Sequence, residues 1–176
     1  GKGCENNGRE LEIGFAFGAR FVRSILVCFD PVSQSPLYTR VEIPSSINQK
    51  DGNTPRPSWT QGNVYDITGV NNLYTRASQR GTINALLGLP QESQFYIQNN
   101  NYYLARGHLT ARSDGFYPAE QNATFFFVNA APQWQTFNNG NWVRVESSVR
   151  DYAESKRVDL IQYTGIYGVA TLNHQQ

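Results

Sequence analysis

Most of the patterned segments in this chain carry the two-residue hydrophobic period of β-strands. Residues 10–17 alternate in part, residues 21–29 form a β-branched and aromatic run, and residues 38–43 alternate cleanly. These three segments are predicted to be strands. Residues 44–62 are rich in Ser, Asn, Pro and Gly and are predicted to form a loop.

The second half of the chain mixes strand and helix signals. Residues 68–87 predict a helix that Gly81 interrupts, and residues 124–128 predict a buried strand. Residues 95–98 and 102–109 are separated by three asparagines, which is typical of a hairpin. Residues 158–172 are strand-like again.

Residues 139–157 give the clearest helix prediction. At about 100° per residue, one predicted face is largely apolar and Glu146 lies at its edge. The residues on that face are Asn138, Trp142, Val145, Val149, Tyr152 and Ala153.

Composition limits the class of protein. The 176 residues suit one domain with a real core, and 16% charged residues with 13% aromatic residues are typical of an extracellular globular protein. The net charge of +1 lacks the basic excess common in nucleic-acid-binding proteins. A site for a polyanion would therefore have to be a local cluster.

Two further features bear on secretion. Cys4 and Cys28 can form one internal disulfide, remain free thiols, or pair outside this chain. Asn122 begins an Asn-Ala-Thr glycosylation sequon, which matters only in a secreted chain. No apolar run reaches the roughly 18 residues of a membrane span. We therefore expect a secreted protein that does not enter a membrane.

Three short motifs contain the residues of this chain that are best suited to catalysis. They are residues 104–109 (LARGHL) on a predicted strand, residues 127–133 (FVNAAPQ), and residues 138–146 (NNGNWVRVE) at the start of the predicted helix. Together they resemble the Arg-Gly-His, Asn-x-x-Pro-Gln and Asn-x-Gly-x-Trp-x-x-x-Glu motifs of the DNA/RNA non-specific endonuclease family, the ββα-metal or His-Me finger nucleases. The resemblance is close over residues 102–150 and loose upstream.

The resemblance implies a fold and an activity. The fold would be α+β, a central antiparallel sheet with flanking helices, in a single nuclease domain over residues 1–176 with its metal finger at about residues 95–157. The activity would be Mg²⁺- or Mn²⁺-dependent hydrolysis of phosphodiester bonds in DNA, RNA or both, without sequence preference.

The resemblance also implies a role for each site residue. His108 would be the general base that activates water, Asn138 the metal ligand, and Glu146 the residue that holds metal-bound waters. Arg106 would support the site or contact phosphate, and Asn129 would fix the geometry of the metal finger. These residue types suit hydrolysis, because neutral imidazole accepts a proton near neutral pH and Mg²⁺ keeps most of its waters.

Three of these residues also have an ordinary structural interpretation. Asn138 also suits a helix N-cap, Glu146 a solvated carboxylate, and His108 a hydrogen-bonded strand residue. Arg56, in Pro-Arg-Pro-Ser-Trp, is the best match to an upstream phosphate-binding arginine of the family, although a plain loop arginine is the alternative. Many members have Asp where this chain has Ala105, and the missing carboxylate would alter how Arg106 is held. Secreted arthropod members of the family tolerate Ala there, so the chain resembles that branch.

Rival functions also stay open. A catalytically inactive nucleic-acid-binding homologue would keep the fold, and a carbohydrate-binding module would suit the Tyr, Trp and Asn content. Family domains usually extend past the position of Gln176. We therefore expect a second chain or segment to complete the sheet beyond residues 158–172, since an open strand edge favours association.

Overall fold

The computed structural model describes Cys4, residues 7–50 and residues 52–172. Short 3-10 turns accompany the regular elements, at Ile47–Gln49, Arg112–Asp114 and Phe127–Asn129. The strands are β1 (Arg9–Phe17), β2 (Arg20–Asp30), β3 (Ser35–Ile43), β4 (Leu104–His108), β5 (Ala130–Trp134) and β6 (Leu160–Gly165). The helices are α1 (Val70–Leu73), α2 (Arg76–Leu86), α3 (Pro118–Ala123), α4 (Gln135–Phe137) and α5 (Val143–Lys156).

Four of these strands form an antiparallel sheet in the order β1-β2-β3-β6. β1 and β2 are joined by a two-residue turn in which Gly18 adopts a φ of +61°, a conformation that glycine reaches without steric cost. The predicted α+β class with an antiparallel sheet and flanking helices is confirmed, and so are the three predicted N-terminal strands.

The sheet is held by apolar side chains at alternate positions. Ile25, Val27 and Phe29 of β2 are almost fully buried, with exposed fractions of 1% or less. Ala123 and Val128, from the segment around α3, pack against this row. A second core cluster joins β3 to α5, and its members are Val41, Ile43, Ile47 and Ala153.

A disulfide joins Cys4 to Cys28, so the internal pairing among the three open possibilities is the one the structure contains. Cys28 is buried in β2, and the two Cα atoms are 6.0 Å apart. A cross-link over 24 residues removes chain entropy from the unfolded state and contributes about 3 kcal/mol to the free energy of unfolding.

The predicted helix at residues 68–87 is divided, but not at Gly81. The break lies at Tyr74 and Thr75, and the Thr75 hydroxyl accepts a hydrogen bond from Ser78 N at 3.2 Å as the N-cap of α2. A capping hydroxyl satisfies a free N–H and starts a new helix, whereas the single glycine is tolerated inside α2.

The predicted hairpin at residues 95–98 and 102–109 is wrong. Only β4 forms, and it pairs with β5 rather than with residues 95–98. The Gln79 side chain explains this, because its amide nitrogen donates to Leu104 O at 2.8 Å and its oxygen accepts from Leu104 N at 2.9 Å. The side chain thus takes the hydrogen-bonding place that a neighbouring strand would need.

The predicted strand at residues 124–128 is also wrong, although most of its residues are buried as expected. The Thr124 hydroxyl donates to Gln121 O at the end of α3, and only Phe126 forms a bridge, to Thr60. The chain then enters the 3-10 turn Phe127–Asn129. Side-chain bonding back to the helix leaves too few residues in extended conformation for a strand.

The predicted helix at residues 139–157 is confirmed in its main part as α5, but its buried face differs. The chain enters it through a wide helical turn at Asn138–Trp142 that is broken at Gly140 (φ −108°, ψ −110°). Ala153 is fully buried, whereas Val145 and Tyr152 are 49% and 53% exposed. The apolar face is therefore covered only in part.

The predicted strand at residues 158–172 is shorter than expected. β6 pairs with β3 on one side, and Ile161 and Tyr163 are more than half exposed. That a second chain or segment covers this strand stays a prediction. In the described part of the chain, no helix is both long and apolar enough to cross a membrane.

Candidate active site

The first two motifs lie on paired strands. β4 and β5 set Gly107 opposite Ala131 and His108 opposite Ala130. A Cβ atom on residue 107 would lie 2.6 Å from Gln133 Oε1 and 3.0 Å from the Ala131 carbonyl oxygen. Only glycine allows this approach, so the glycine of the first motif and the glutamine of the second fit one another.

Asn129 of the second motif fixes the chain directly after His108. Its side chain is fully buried, accepts from Thr110 N at 2.9 Å and donates to the carbonyl oxygens of Thr110 and Thr124, also at 2.9 Å. Its own carbonyl accepts from Leu109 N at 2.9 Å. Asn129 therefore supports the end of β4 without lining any open site, as expected for a residue that fixes geometry.

We expect Asn129→Ala to lower the free energy of unfolding by about 3–5 kcal/mol, because it leaves three buried backbone groups without a partner. Chemical denaturation followed by tryptophan fluorescence measures the change. Asn63→Ala, at an exposed asparagine, is the control and should change stability by less than about 0.5 kcal/mol. Equal stability of the two variants would show that these hydrogen bonds contribute little.

A cavity of about 150 Å³ lies where the first and third motifs meet. It contains the predicted base, the predicted metal ligand, the predicted water-holding carboxylate and the predicted upstream arginine. It also contains a second arginine that the sequence did not single out. Its lining residues include Arg56, His108, Arg112, Asn138 and Glu146.

His108 sits between aromatic rings at one wall of the cavity. Its ring centroid lies 4.7 Å from that of Trp59 and 5.0 Å from that of Phe125. Nε2 is buried without a hydrogen-bond partner in the described residues, and the imidazole lines the cavity. Burial first, and then the charges of Arg56 and Arg112, lower the pKa of His108 to about 4. The imidazole is therefore neutral near pH 7.

Asn138 is not the side-chain N-cap that one interpretation allowed. Its backbone is helical (φ −57°, ψ −47°), and the residue before the wide turn, Phe137, makes no side-chain cap either. Because no capping bond engages the amide, its oxygen is available to the cavity that Asn138 lines.

Glu146 lies in the first turn of α5 and is partly buried rather than solvated. Burial first, and then the charge of Asp114, raise the pKa of Glu146 to about 7, while Arg150 and the indole N–H of Trp142 act to lower it. A carboxyl group with a raised pKa loses its proton when a cation binds beside it, because the positive charge stabilises the carboxylate.

The donors in the cavity fit a magnesium ion. Asn138 and Glu146 offer amide and carboxylate oxygens, which hard cations prefer, and Mg²⁺ usually retains several waters. In residues 4, 7–50 and 52–172, no three His, Cys, Asp or Glu side chains are placed to hold a metal together. An ion here would take most of its coordination from water.

Arg106 does not line this cavity. It donates to Asn71 Oδ1 at 2.6 Å, and its guanidinium lies 5.5 Å and 5.9 Å from the ring centroids of Tyr74 and Phe127. Asn71 thus supplies a hydrogen-bond partner to Arg106, next to which the sequence has Ala105 rather than a carboxylate. Of the two predicted roles, the geometry favours support over contact with phosphate.

Sequence reasoning missed Arg112. It follows His108 by four residues, and one of its terminal nitrogens donates to the carbonyl oxygen of Thr54. The three motifs do not include this position, and an arginine in a turn carries no pattern of its own. A search for cations just beyond the histidine strand would have found it.

The comparisons with known proteins agree with the motifs. The model of the family described as DNA/RNA non-specific endonuclease matches residues 8–176. The chain is 32% identical to a salivary endonuclease of Lutzomyia longipalpis over 98% of this chain, and 27% identical to salivary protein Tsal1 of Glossina morsitans morsitans over 84%.

A solved structure of the EndoG/EndoGI complex aligns with 82% of this chain and 49% of that chain, at 16% identity and a TM-score of 0.46. The chain spans 41% of the length of the Lutzomyia protein and 37% of the Glossina protein. Since the family model matches nearly the whole sequence, the chain belongs to the DNA/RNA non-specific endonuclease family.

Proposed function

We propose that this chain carries the active site of a magnesium-dependent endonuclease that hydrolyses phosphodiester bonds in DNA and RNA. The observation that carries the proposal is the single cavity that holds a neutral imidazole, two oxygen donors and two arginines. Phosphodiester hydrolysis needs a base for water, an electrophile on the phosphate, and positive charge against the developing negative charge.

His108 begins the reaction in this proposal. The imidazole accepts a proton from the attacking water, whose oxygen forms a bond to phosphorus while the bond from phosphorus to the leaving oxygen breaks. The leaving oxygen takes up a proton from solvent and departs as a hydroxyl, and the imidazolium then returns its proton to solvent. Trp59 and Phe125 keep the imidazole in position and exclude water from its other side.

Asn138 would bind the ion directly, and Glu146 would orient its waters by accepting their hydrogen bonds. When bound, Mg²⁺ supplies Lewis-acid stabilisation of the phosphate and of the leaving oxygen. Arg56 is exposed, and its guanidinium adds positive charge at the mouth of the cavity. Contacts of this kind address phosphate rather than bases, so cleavage should be sequence-blind.

Substrate range tests this proposal. Activated water needs no 2′-hydroxyl, so in Mg²⁺ buffer the protein should degrade DNA and RNA of one sequence, and the RNA products should lack 2′,3′-cyclic phosphates. Mass spectrometry of the products measures both. Cleavage of RNA alone with cyclic ends would contradict the proposal, and binding without cleavage of either polymer would favour an inactive homologue.

We also propose that the protein acts outside the cell and carries a glycan. The named relatives are salivary proteins, and an internal disulfide is typical of oxidising compartments. Asn122 is exposed on α3, where a glycan on its side chain meets no packing obstacle. Treatment of the native protein with a glycosidase should lower its mass.

A further inference from the structure

We propose that Arg112 is a substrate-binding residue that contacts a backbone phosphate of the polynucleotide together with Arg56. The inference rests on the proposed function and deepens it, because it assigns the second positive charge of the site. Arg112 lies outside the three motifs that identify the family.

The backbone of Arg112 is held firmly. It begins the 3-10 turn Arg112–Asp114, which is separated from β4 by three residues, and Asp114 Oδ2 accepts from Ala111 N at 3.1 Å. Asp114 is 2% exposed and pairs with Arg150 at 2.7 Å. The turn is thus anchored to α5, and Arg112 projects from a fixed point beside His108.

The Arg112 side chain also links the two arginines. Its bond to the Thr54 carbonyl oxygen holds the loop that carries Arg56, two residues further on. Both side chains line the same cavity. One hydrogen bond therefore joins the turn that carries Arg112 to the loop that carries Arg56, and both side chains line the cavity beside the imidazole.

The positive charge of Arg112 lacks an acidic partner within the described residues. The ion pairs there join Arg23 to Glu12, Arg40 to Glu42, and Arg150 to Asp114. In addition, Arg112 Nε is buried without a hydrogen-bond partner in the same part of the chain.

A buried donor left unsatisfied on a charged group is costly, so a water, an ion or a ligand usually completes it. The nearest suitable ligand chemistry is an anion with several oxygens, because guanidinium groups bind phosphate through paired hydrogen bonds.

Binding measurements in the His108→Ala background separate contact with phosphate from catalysis. The probe is a fluorescent double-stranded DNA oligonucleotide, and its anisotropy gives Kd at several salt concentrations. Adding Arg112→Gln should raise Kd about 10- to 100-fold at low salt and reduce the slope of log Kd against log salt by about 0.9, the value for one lost phosphate contact. Glutamine keeps an N–H donor on a shorter side chain, so thermal melts of both proteins check that the fold is retained.

Two further variants test a purely structural role. Arg112→Lys should keep the salt slope, because it keeps the charge. Arg76→Gln is the matched control, since Arg76 also donates to a backbone carbonyl, that of Asn99 at 2.7 Å, yet lies outside the cavity. Its Kd and slope should equal those of the background protein.

Each possible result of these experiments either supports or overturns the inference. An unchanged slope for Arg112→Gln, or equal losses for Arg112→Lys and Arg112→Gln, would overturn the role of Arg112 while cleavage by the wild-type protein still upheld the proposed function. Failure of the wild-type protein to cleave nucleic acid would overturn the proposed function itself. Loss of slope in Arg112→Gln alone supports the inference whether or not cleavage is seen.

Discussion

Replacing His108 by alanine should slow phosphodiester cleavage by about 10²–10⁴-fold, the usual contribution of a general base. The physical reason is that no other imidazole, and no carboxylate but Glu146, lines the cavity in the described part of the chain. Initial rates on supercoiled plasmid, at saturating Mg²⁺ and equal protein concentration, measure the effect.

The His108→Ala variant must also stay folded for this result to have meaning. His108 is at the end of β4 and contributes only ring contacts to Trp59 and Phe125, so the thermal transition should move by only a few degrees. His174→Ala removes the other histidine of the sequence and should leave the rate unchanged. Free imidazole should restore part of the lost rate, because the substitution leaves a ring-sized space. Near-full activity of His108→Ala would show that another group is the base.

Replacing Asn138 by alanine should have an effect of similar size. In the proposed site its amide is the one direct protein ligand of the ion, and metal stabilisation of a phosphoryl transition state amounts to several kcal/mol. We expect a loss of about 10²–10³-fold in rate at physiological Mg²⁺, since each tenfold corresponds to about 1.4 kcal/mol. Titrating Mg²⁺ into each variant and recording the rate measures it.

Asn141→Ala is the control for this variant. Asn141 lies in the same wide turn and is exposed, so its loss should change neither the rate nor the Mg²⁺ concentration that gives half-maximal activity. The Asn138→Ala variant should need a higher Mg²⁺ concentration for half-maximal activity and should reach a lower maximal rate. Superimposable curves for the two variants would contradict a role for Asn138 in holding the metal.

The sequence predicted those parts of the site that local patterns specify. Strand periodicity located β1, β2 and β3, and the resemblance of the motifs to the family implied that His108, Asn138 and Glu146 share one site, although 38 positions separate the first from the last. The motifs suffice because they encode contacts that only certain residues allow, such as Gly107 against Gln133.

What the sequence did not predict depends on contacts between distant residues. The Gln79 side chain takes the place of a neighbouring strand beside β4, and Asn71 accepts a hydrogen bond from Arg106 in place of a carboxylate. Each lies more than 20 positions away in sequence from the residue that it contacts. A hydrogen bond from a side-chain amide to a residue distant in sequence does not change the hydrophobic periodicity of either segment. The sequence did not predict a role for Arg112 for the same reason, since the position of its side chain in the cavity depends on the fold of the loop at Thr54.

The most direct test of the central claim is the rate at which metal-depleted wild-type protein nicks supercoiled plasmid as Mg²⁺ is added back. The protein is treated with chelator, freed of it by gel filtration, and assayed beside His108→Ala purified in the same way. We expect no nicking without metal, a saturable rise with Mg²⁺, and no such rise for His108→Ala. Full activity of the wild-type protein in excess chelator, or equal activity of the two proteins, would contradict a metal-dependent site built around His108.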